Sequence, residues 1–311
     1  MKNHGQAVGH AVALLTILLW GATFMSTKIM LGAFSPVQIL LMRFVLGLAA
    51  LTIAWPHRLR LTDRRQEWVF MGAGLTGVTL YYLLENVALT YSMASNVGVI
   101  VAVAPFFTAI LAHFWLKEEP LRLHFFLGFL CSMAGICIIS FHGSTQLQIN
   151  PLGDFLAVVA AAVWAVYSIF IRRISSYGYS TIATTRRTFF YGTLFMLPIA
   201  FFTGGQWDLS PLTQPLYLGH LLFLGVGASA TCFATWAFAV KRLGAVKTSM
   251  YIYLNPVTSI VTSAIFLHEP IGAVSLVGAA LIIVGLLVSE GRLLPKGFSL
   301  GFLATDPQNS K

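Results

Sequence analysis

The sequence predicts an all-α integral membrane protein of ten transmembrane helices. Three observations carry that expectation. The 311 residues are 57% hydrophobic and only 9% charged, with a mean hydropathy of +0.81. Apolar runs long enough to span a bilayer recur along the chain, and Lys and Arg fall on alternate connectors. A soluble domain carries about 25% charged residues. This chain lacks the charge to cover a water-facing surface, so lipid must solvate much of its exterior.

A helix needs about 20 apolar residues to cross the hydrocarbon core. Spans are expected at 11–31, 37–55, 68–90, 95–116, 123–141, 152–171, 182–202, 216–240, 246–267 and 272–290. Continuous apolarity without period-2 alternation argues for helices over a barrel. Ser35-Pro36, Asn150-Pro151 and Ser210-Pro211 mark connectors. The first run, from Ala11 to Leu31, exceeds the roughly 7–15 residues of a signal-peptide core and is expected to persist as span 1.

Topology follows from the cations. Arg58, Arg60, Arg64 and Arg65, then Lys117 and Arg122, Arg172 and Arg173, Lys241, Arg242 and Lys247, and finally Arg292 and Lys296 all fall on one side. The opposite connectors, 32–36, 91–94, 142–151, 203–215 and 268–271, contain no Lys or Arg. By the positive-inside rule both termini are cytoplasmic, with a bacterial plasma (inner) membrane as the expected location and 291–311 as a cytoplasmic tail. The net charge of +9 therefore reflects topology, and no nucleic-acid partner is expected, because the cations form no stripe. Cys131, Cys137 and Cys232 lie inside apolar runs without metal-ligand spacing, so no disulfide framework, metal site or cofactor is expected.

Residues 11–141 and 152–290 resemble each other. Trp20 is followed 23 residues later by Arg43, and Trp164 by Arg187 at the same spacing. Ala94-Ser95-Asn96 with Pro105 aligns at an offset of 151 with Ala245-Val246-Lys247 and Pro256; FWLKE at 114–118 aligns with IFLHE at 265–269. Gly128 and Gly135 match Gly278 and Gly285, each pair on one helix face as close-packing positions. Five spans is an odd number, so the second repeat must enter the bilayer from the other side, as in many secondary transporters.

The mid-helix Trp, the Ala88-Leu89-Thr90-Tyr91 run leading to Pro105, and the Leu116-x-Glu118-x-Pro120 helix end resemble the EamA family of the drug/metabolite transporter superfamily. Leu267-x-Glu269-Pro270 in the second repeat is one residue shorter. The resemblance covers 11 to 290. It implies a ten-helix bundle with a central cavity that moves small metabolites such as amino acids, often outward, with YddG-type amino acid exporters among its structural relatives.

Candidate site residues come from polar and aromatic groups at depth. Trp20 and Trp164 reach mid-depth from opposite faces and would wall a midplane site or merely fill helix contacts. Tyr167 shares the Trp164 face. In YYLLEN, residues 81–86, Tyr82 and Asn86 flank Glu85, the acid lying well inside a span. A charge at that depth costs at least about 2.5 kcal/mol and should find a partner, Lys28 or Arg43. Either a static clamp or a carboxylate that protonates or gates satisfies this. Arg187, beside Arg186, snorkels to the inner headgroups or faces inward. If it faces inward, intramembrane cations outnumber Glu85, and a carboxylate-bearing solute is favoured. On span 9, Tyr251 and Asn255 share a stripe with Ser259 and Thr262 at α-helical spacing, and Pro256 breaks the backbone as Pro105 does in span 4; both prolines are hinge candidates. Trp236 on span 8 completes the set.

The expected function is secondary transport of a small-molecule substrate by alternating access, export being the direction the resemblance implies. No GxxxxGK[ST] suggests direct use of ATP. Proton coupling would rest on Glu85, with His113 the other titratable candidate within a span. An enzyme is not expected, since no HExxH, GxSxG or paired intramembrane acids occur; nor is a scaffold, since the loops are short. Efflux of hydrophobic or cationic drugs remains the alternative, for which aromatic walls suffice.

Overall fold

The computed structural model describes residues 2–92, 94–116, 123–141, 150–203, 207–266 and 272–291. Among the described residues the protein is all-helical. Ten helices follow one another: α1 (2–30), α2 (Pro36–Ala54), α3 (66–91), α4 (94–116), α5 (Leu123–Phe141), α6 (Pro151–Ser176), α7 (Thr181–Thr203), α8 (Pro215–Leu243), α9 (245–266) and α10 (Ala273–Ser289). Four stretches are long and apolar enough to cross a membrane: Pro36–Ala54, Val97–Leu116, Pro151–Ser176 and Pro215–Leu243. Shorter apolar helices run Gly5–Gly21, Leu123–Ile139 and Ala273–Ser289.

Local chemistry starts the helices where they start. Ser35 and Gln38 form a reciprocal capping box at α2, with Pro36 in the first turn, where a missing N–H costs nothing. The Asn150 side chain accepts from the Gly153 N–H at α6, and Asp154 in that first turn accepts from Ser92 Oγ at 2.6 Å. Two helices extend past their apolar runs. α1 begins at Lys2, because Gly5 and Gly9 let its polar first turns lie against Arg242 and Leu243 of α8. α6 continues to Ser176, carrying Arg172 and Arg173 past the apolar stretch.

Five helices are interrupted. α1 breaks at Ala22, α3 widens into π-helical turns at Leu75–Leu80, and α8 does the same at Phe223–Thr231. α4 restarts at Ala104, just before Pro105. α9 tightens to 3₁₀ over Met250–Leu254 and restarts at Asn255, just before Pro256. Each proline sits where its missing donor is tolerated, and such irregular turns concentrate near functional sites.

The principal packing runs between the first five helices and the last five. α3 packs on α6 and α8 on α1; α3 on α7 and α8 on α2; α4 on α6 and α9 on α1; α2 packs on α7, and α5 on α10. Exchanging the two sets of five regenerates the same pairings. The α5–α10 seam is the tightest. A Cβ built on Gly128 would lie 2.3 Å from the Gly285 carbonyl, and one on Gly135 2.5 Å from that of Gly278.

Large apolar side chains cover the outside. Phe201 and Phe202 are 83% and 82% exposed and Ile53 is 82% exposed, a pattern that suits acyl chains and not water. Trp55 and Trp68 lie at one end of the bundle and Tyr91 and Trp207 at the other, as in interfacial aromatic belts.

The 55–65 connector is clamped by α7. Arg186 bonds the Trp55 carbonyl and, at 2.8 Å, that of His57. Arg187 grips Glu67 with two N–H groups at 2.8 and 2.5 Å and reaches the Leu59 carbonyl at 3.1 Å; the Tyr191 hydroxyl also donates to Glu67. Because the pair is partly exposed, Glu67→Gln is expected to cost about 1 kcal/mol, read as a small drop in melting temperature in detergent.

Candidate functional site

A cavity of about 490 Å³ is walled by six helices. Its rim lies at the α1–α2 turn, where Leu31 and Pro36 are exposed, and its floor is formed by Trp20 and Trp164. α1 contributes Thr23 and Thr27 to the wall; α2 contributes Ile39, Leu40 and Arg43; α3 contributes Tyr81, Tyr82, Glu85 and Asn86; α4 contributes Val101 and Ala104; α9 contributes Ile252 and Asn255. The break in α1 shapes the floor. The helix pauses at Ala22, and the Thr23 hydroxyl donates to the Trp20 carbonyl at 2.6 Å.

The floor is an aromatic plug. The Trp20 and Trp164 rings meet edge-on at 5.6 Å and 77°. Trp236 backs Trp20 at 5.1 Å, and Phe233 lies 5.8 Å from Trp20. The Trp20 indole N–H donates to the Ala228 carbonyl at 3.0 Å, within the π-helical part of α8. Trp164 is 5% exposed, and its indole N–H has no partner among the described residues; the same holds for Asn255 Oδ1. Buried polar atoms without partners cost about 1–3 kcal/mol each.

Two charges of opposite sign face the cavity. Arg43 is 4% exposed, donates from Nε to Ser229 Oγ at 2.9 Å, and stacks against Tyr82 and Phe44 at 5.2 and 5.4 Å from the ring centroids. Among the described residues no carboxylate lies within ion-pair distance of it. Glu85 accepts from the Tyr81 hydroxyl at 3.2 Å, and the Tyr81 ring in turn lies 4.8 Å from Trp164.

Of the residues singled out from the sequence, Trp20, Arg43, Tyr82, Glu85, Asn86, Trp164 and Asn255 come together on this wall. Others lie outside it. Tyr167 is buried behind Trp164, wedged against Gly77. Trp236 is fully buried beneath the floor. Tyr251 turns away to place its hydroxyl 2.7 Å from His10 Nδ1. The physical reason is the 3₁₀ turn: at three residues per turn, Tyr251 and Asn255 no longer share a face. Arg187 is held by Glu67 beside the 55–65 connector and does not face the cavity. Pro105 and Pro256 are not in the wall but adjoin its residues Ala104 and Asn255. The side chains of Lys28, Ser259 and Thr262 lie outside the described residues. Tyr81 and Ser229 escape a reading of the sequence. Tyr81 is signalled only by its spacing of four from Glu85, while Ser229 is 186 positions from Arg43 and has no local signal.

The EamA-like transporter family matches the chain twice, over residues 7–141 and 151–290. An uncharacterized transporter of Archaeoglobus fulgidus is 26% identical over 290 residues, covering 91% of this chain and 97% of its own length. The transporter YyaM of Bacillus subtilis is 28% identical, covering 89% and 92%. A probable terminal-alkyne amino-acid exporter of Streptantibioticus cattleyicolor is 26% identical, covering 90% and 92%. A solved crystal structure superposes with a TM-score of 0.75 at 22% identity over 93% of this chain and 97% of the other, a likeness of fold alone. With a match to both halves, an all-helical fold and an apolar exterior, the chain belongs to the EamA-like transporter family of membrane proteins.

Proposed function

We propose that the protein is a secondary transporter of a small carboxylate-bearing solute, with amino acids the best fit, working by alternating access. The observation that carries this is Arg43: a buried guanidinium on a cavity wall, with no carboxylate in ion-pair range among the described residues. Such a charge is costly in a membrane unless it serves a ligand or a pathway. A solute carboxylate would take bidentate, charge-assisted hydrogen bonds from it. Glu85 and the faces of Trp164 and Tyr82 offer the opposite pole for an ammonium group. Together the poles suit a zwitterion better than a simple cation. The cavity volume, within the roughly 300–1,000 Å³ of small-molecule sites, does not discriminate.

The motion follows from the repeats. Two units, 11–141 and 152–290, each of five spans, must lie in opposite orientations, and the exchange-symmetric helix pairings support that reading. Rocking one unit on the other about the glycine-lined α5–α10 seam would move access from the rim to the opposite end, with Pro105 and Pro256 as hinges. The basic connectors support cytoplasmic termini in a bacterial plasma membrane. Export is supported by the named exporter among the relatives. Glu85 is the group through which a proton would couple at the cavity.

The test is counterflow in proteoliposomes with amino acids set against their decarboxylated amines. Amino acids are expected to exchange and the amines not. Exchange of amines or quaternary ammonium ions without amino acids would overturn the proposal in favour of cation efflux.

A further inference from the structure

Below the cavity floor Phe233 and Trp236 are fully buried, and a titratable cluster stands at the end away from the rim. His10 lies ten residues before Trp20 on α1, about 15 Å nearer the opposite end of the helix. Its Nδ1 is 2.7 Å from the Tyr251 hydroxyl of α9 and 3.5 Å from Glu290 Oε1, just past α10. The Glu290 side chain is 5% exposed and that of His10 23%. The His10 and Tyr251 rings pack at 5.9 Å. Between this cluster and the floor, Thr16 and Thr235 bond hydroxyl to hydroxyl at 2.7 Å. Every one of these contacts joins α1 to helices of the other half.

We propose that His10, Tyr251 and Glu290 form a proton-binding latch that holds the inner end of the bundle shut while the cavity opens at its rim. The inference rests on the carrier reading: opening an inner path requires α1 to part from α8, α9 and α10, which breaks these bonds. Protonation sets the strength of the latch. A doubly protonated imidazole presents Nδ1–H toward the carboxylate and carries the matching charge. The neutral tautomer that accepts the Tyr251 proton turns a lone pair on Nδ1 toward Glu290, and attraction becomes repulsion. Low pH on the inner side therefore closes the latch and high pH loosens it. Among the described residues, charged and titratable groups approach from three helices. α8 contributes Arg242, which lies against Gly5 and stacks on Phe238 at 5.2 Å; α9 contributes Tyr251 and the exposed Lys247. Glu290 follows α10, and His124 of α5 bonds the Ser289 carbonyl at 2.9 Å. His10, in direct contact with Glu290, is the group assigned the pH response, and replacing it alone separates its part from that of His124.

The experiment is hydrogen–deuterium exchange on the purified full chain, without solute, at about pH 5.5 and about pH 8, corrected for intrinsic rates. Protection of residues 5–16 and 245–254 is expected to fall at least about fivefold on going to the higher pH. His10→Gln keeps a hydrogen-bonding group but cannot titrate, and is expected to flatten the step; Glu290→Gln, which removes the carboxylate, should do the same. A flat wild-type profile, or a step retained in either variant, overturns the proposal. Should one variant not fold, the wild-type profile and the other variant decide. A pH step in a protein that exchanges no amino acid would count against the proposed solute alone, so the two failures are distinguishable.

Discussion

Arg43→Ala is expected to weaken binding of a carboxylate-bearing solute by about 30- to 1,000-fold. The loss of one partner of a buried, hydrogen-bonded charge pair costs about 2–4 kcal/mol, and each 1.4 kcal/mol is about tenfold. The solute-free protein should behave differently. Arg43 and Glu85 share the cavity wall but form no ion pair, so removing Arg43 should change the melting temperature only slightly, despite the lost bond to Ser229. Arg43→Lys keeps the charge but not the planar fork and should fall between. Thermal unfolding with and without solute reads both effects. A variant that binds normally, or one that loses binding only because it no longer folds, would show that Arg43 is a structural clamp.

The second large effect lies at the α5–α10 seam. A Cβ built on Gly285 sits 2.3 Å from Ser132 Oγ and 2.6 Å from the Gly128 carbonyl. A side chain could rotate aside, but a backbone carbonyl cannot. Without a hydrophobic drive between helices in lipid, such close backbone contact supplies the packing energy. Gly285→Val is therefore expected to destabilise the protein by about 3 kcal/mol or more, seen as loss of the monodisperse folded fraction. Ala280→Leu, on the exposed face of the same helix, should be tolerated. A well-folded Gly285→Val protein would mean that the two helices do not hold this spacing.

The helices were legible because each is written in many residues at once. Twenty apolar positions outvote any local exception, and α2, α5 and α7 lie within a residue or two of their apolar runs. Trp20, Arg43, Glu85 and Trp164 were legible for a related reason: a polar or charged group at depth is costly and demands a purpose. Tyr251 was misplaced because the stripe reading assumed α-helical spacing through a segment that winds as 3₁₀. The destination of Arg187 depends on Glu67, 120 positions away. His10 was passed over because it precedes the first apolar run, yet α1 begins at Lys2 and carries it into the bundle. What the sequence conceals is rotation about helix axes and contact between distant segments, and both decide which groups share a cavity.

The central claim is that water fills a chamber ending at Trp20 and Trp164 between two five-helix units. Cysteine accessibility in vesicles tests it most directly. In a background with Cys131, Cys137 and Cys232 replaced by alanine, Thr27→Cys on the cavity wall is compared with Leu18→Cys on the exposed apolar face. The account predicts that a membrane-impermeant maleimide labels Thr27→Cys from the rim side, that a transported amino acid slows the labelling, and that Leu18→Cys stays unlabelled. Equal labelling of the two positions, or none at Thr27→Cys, would contradict it.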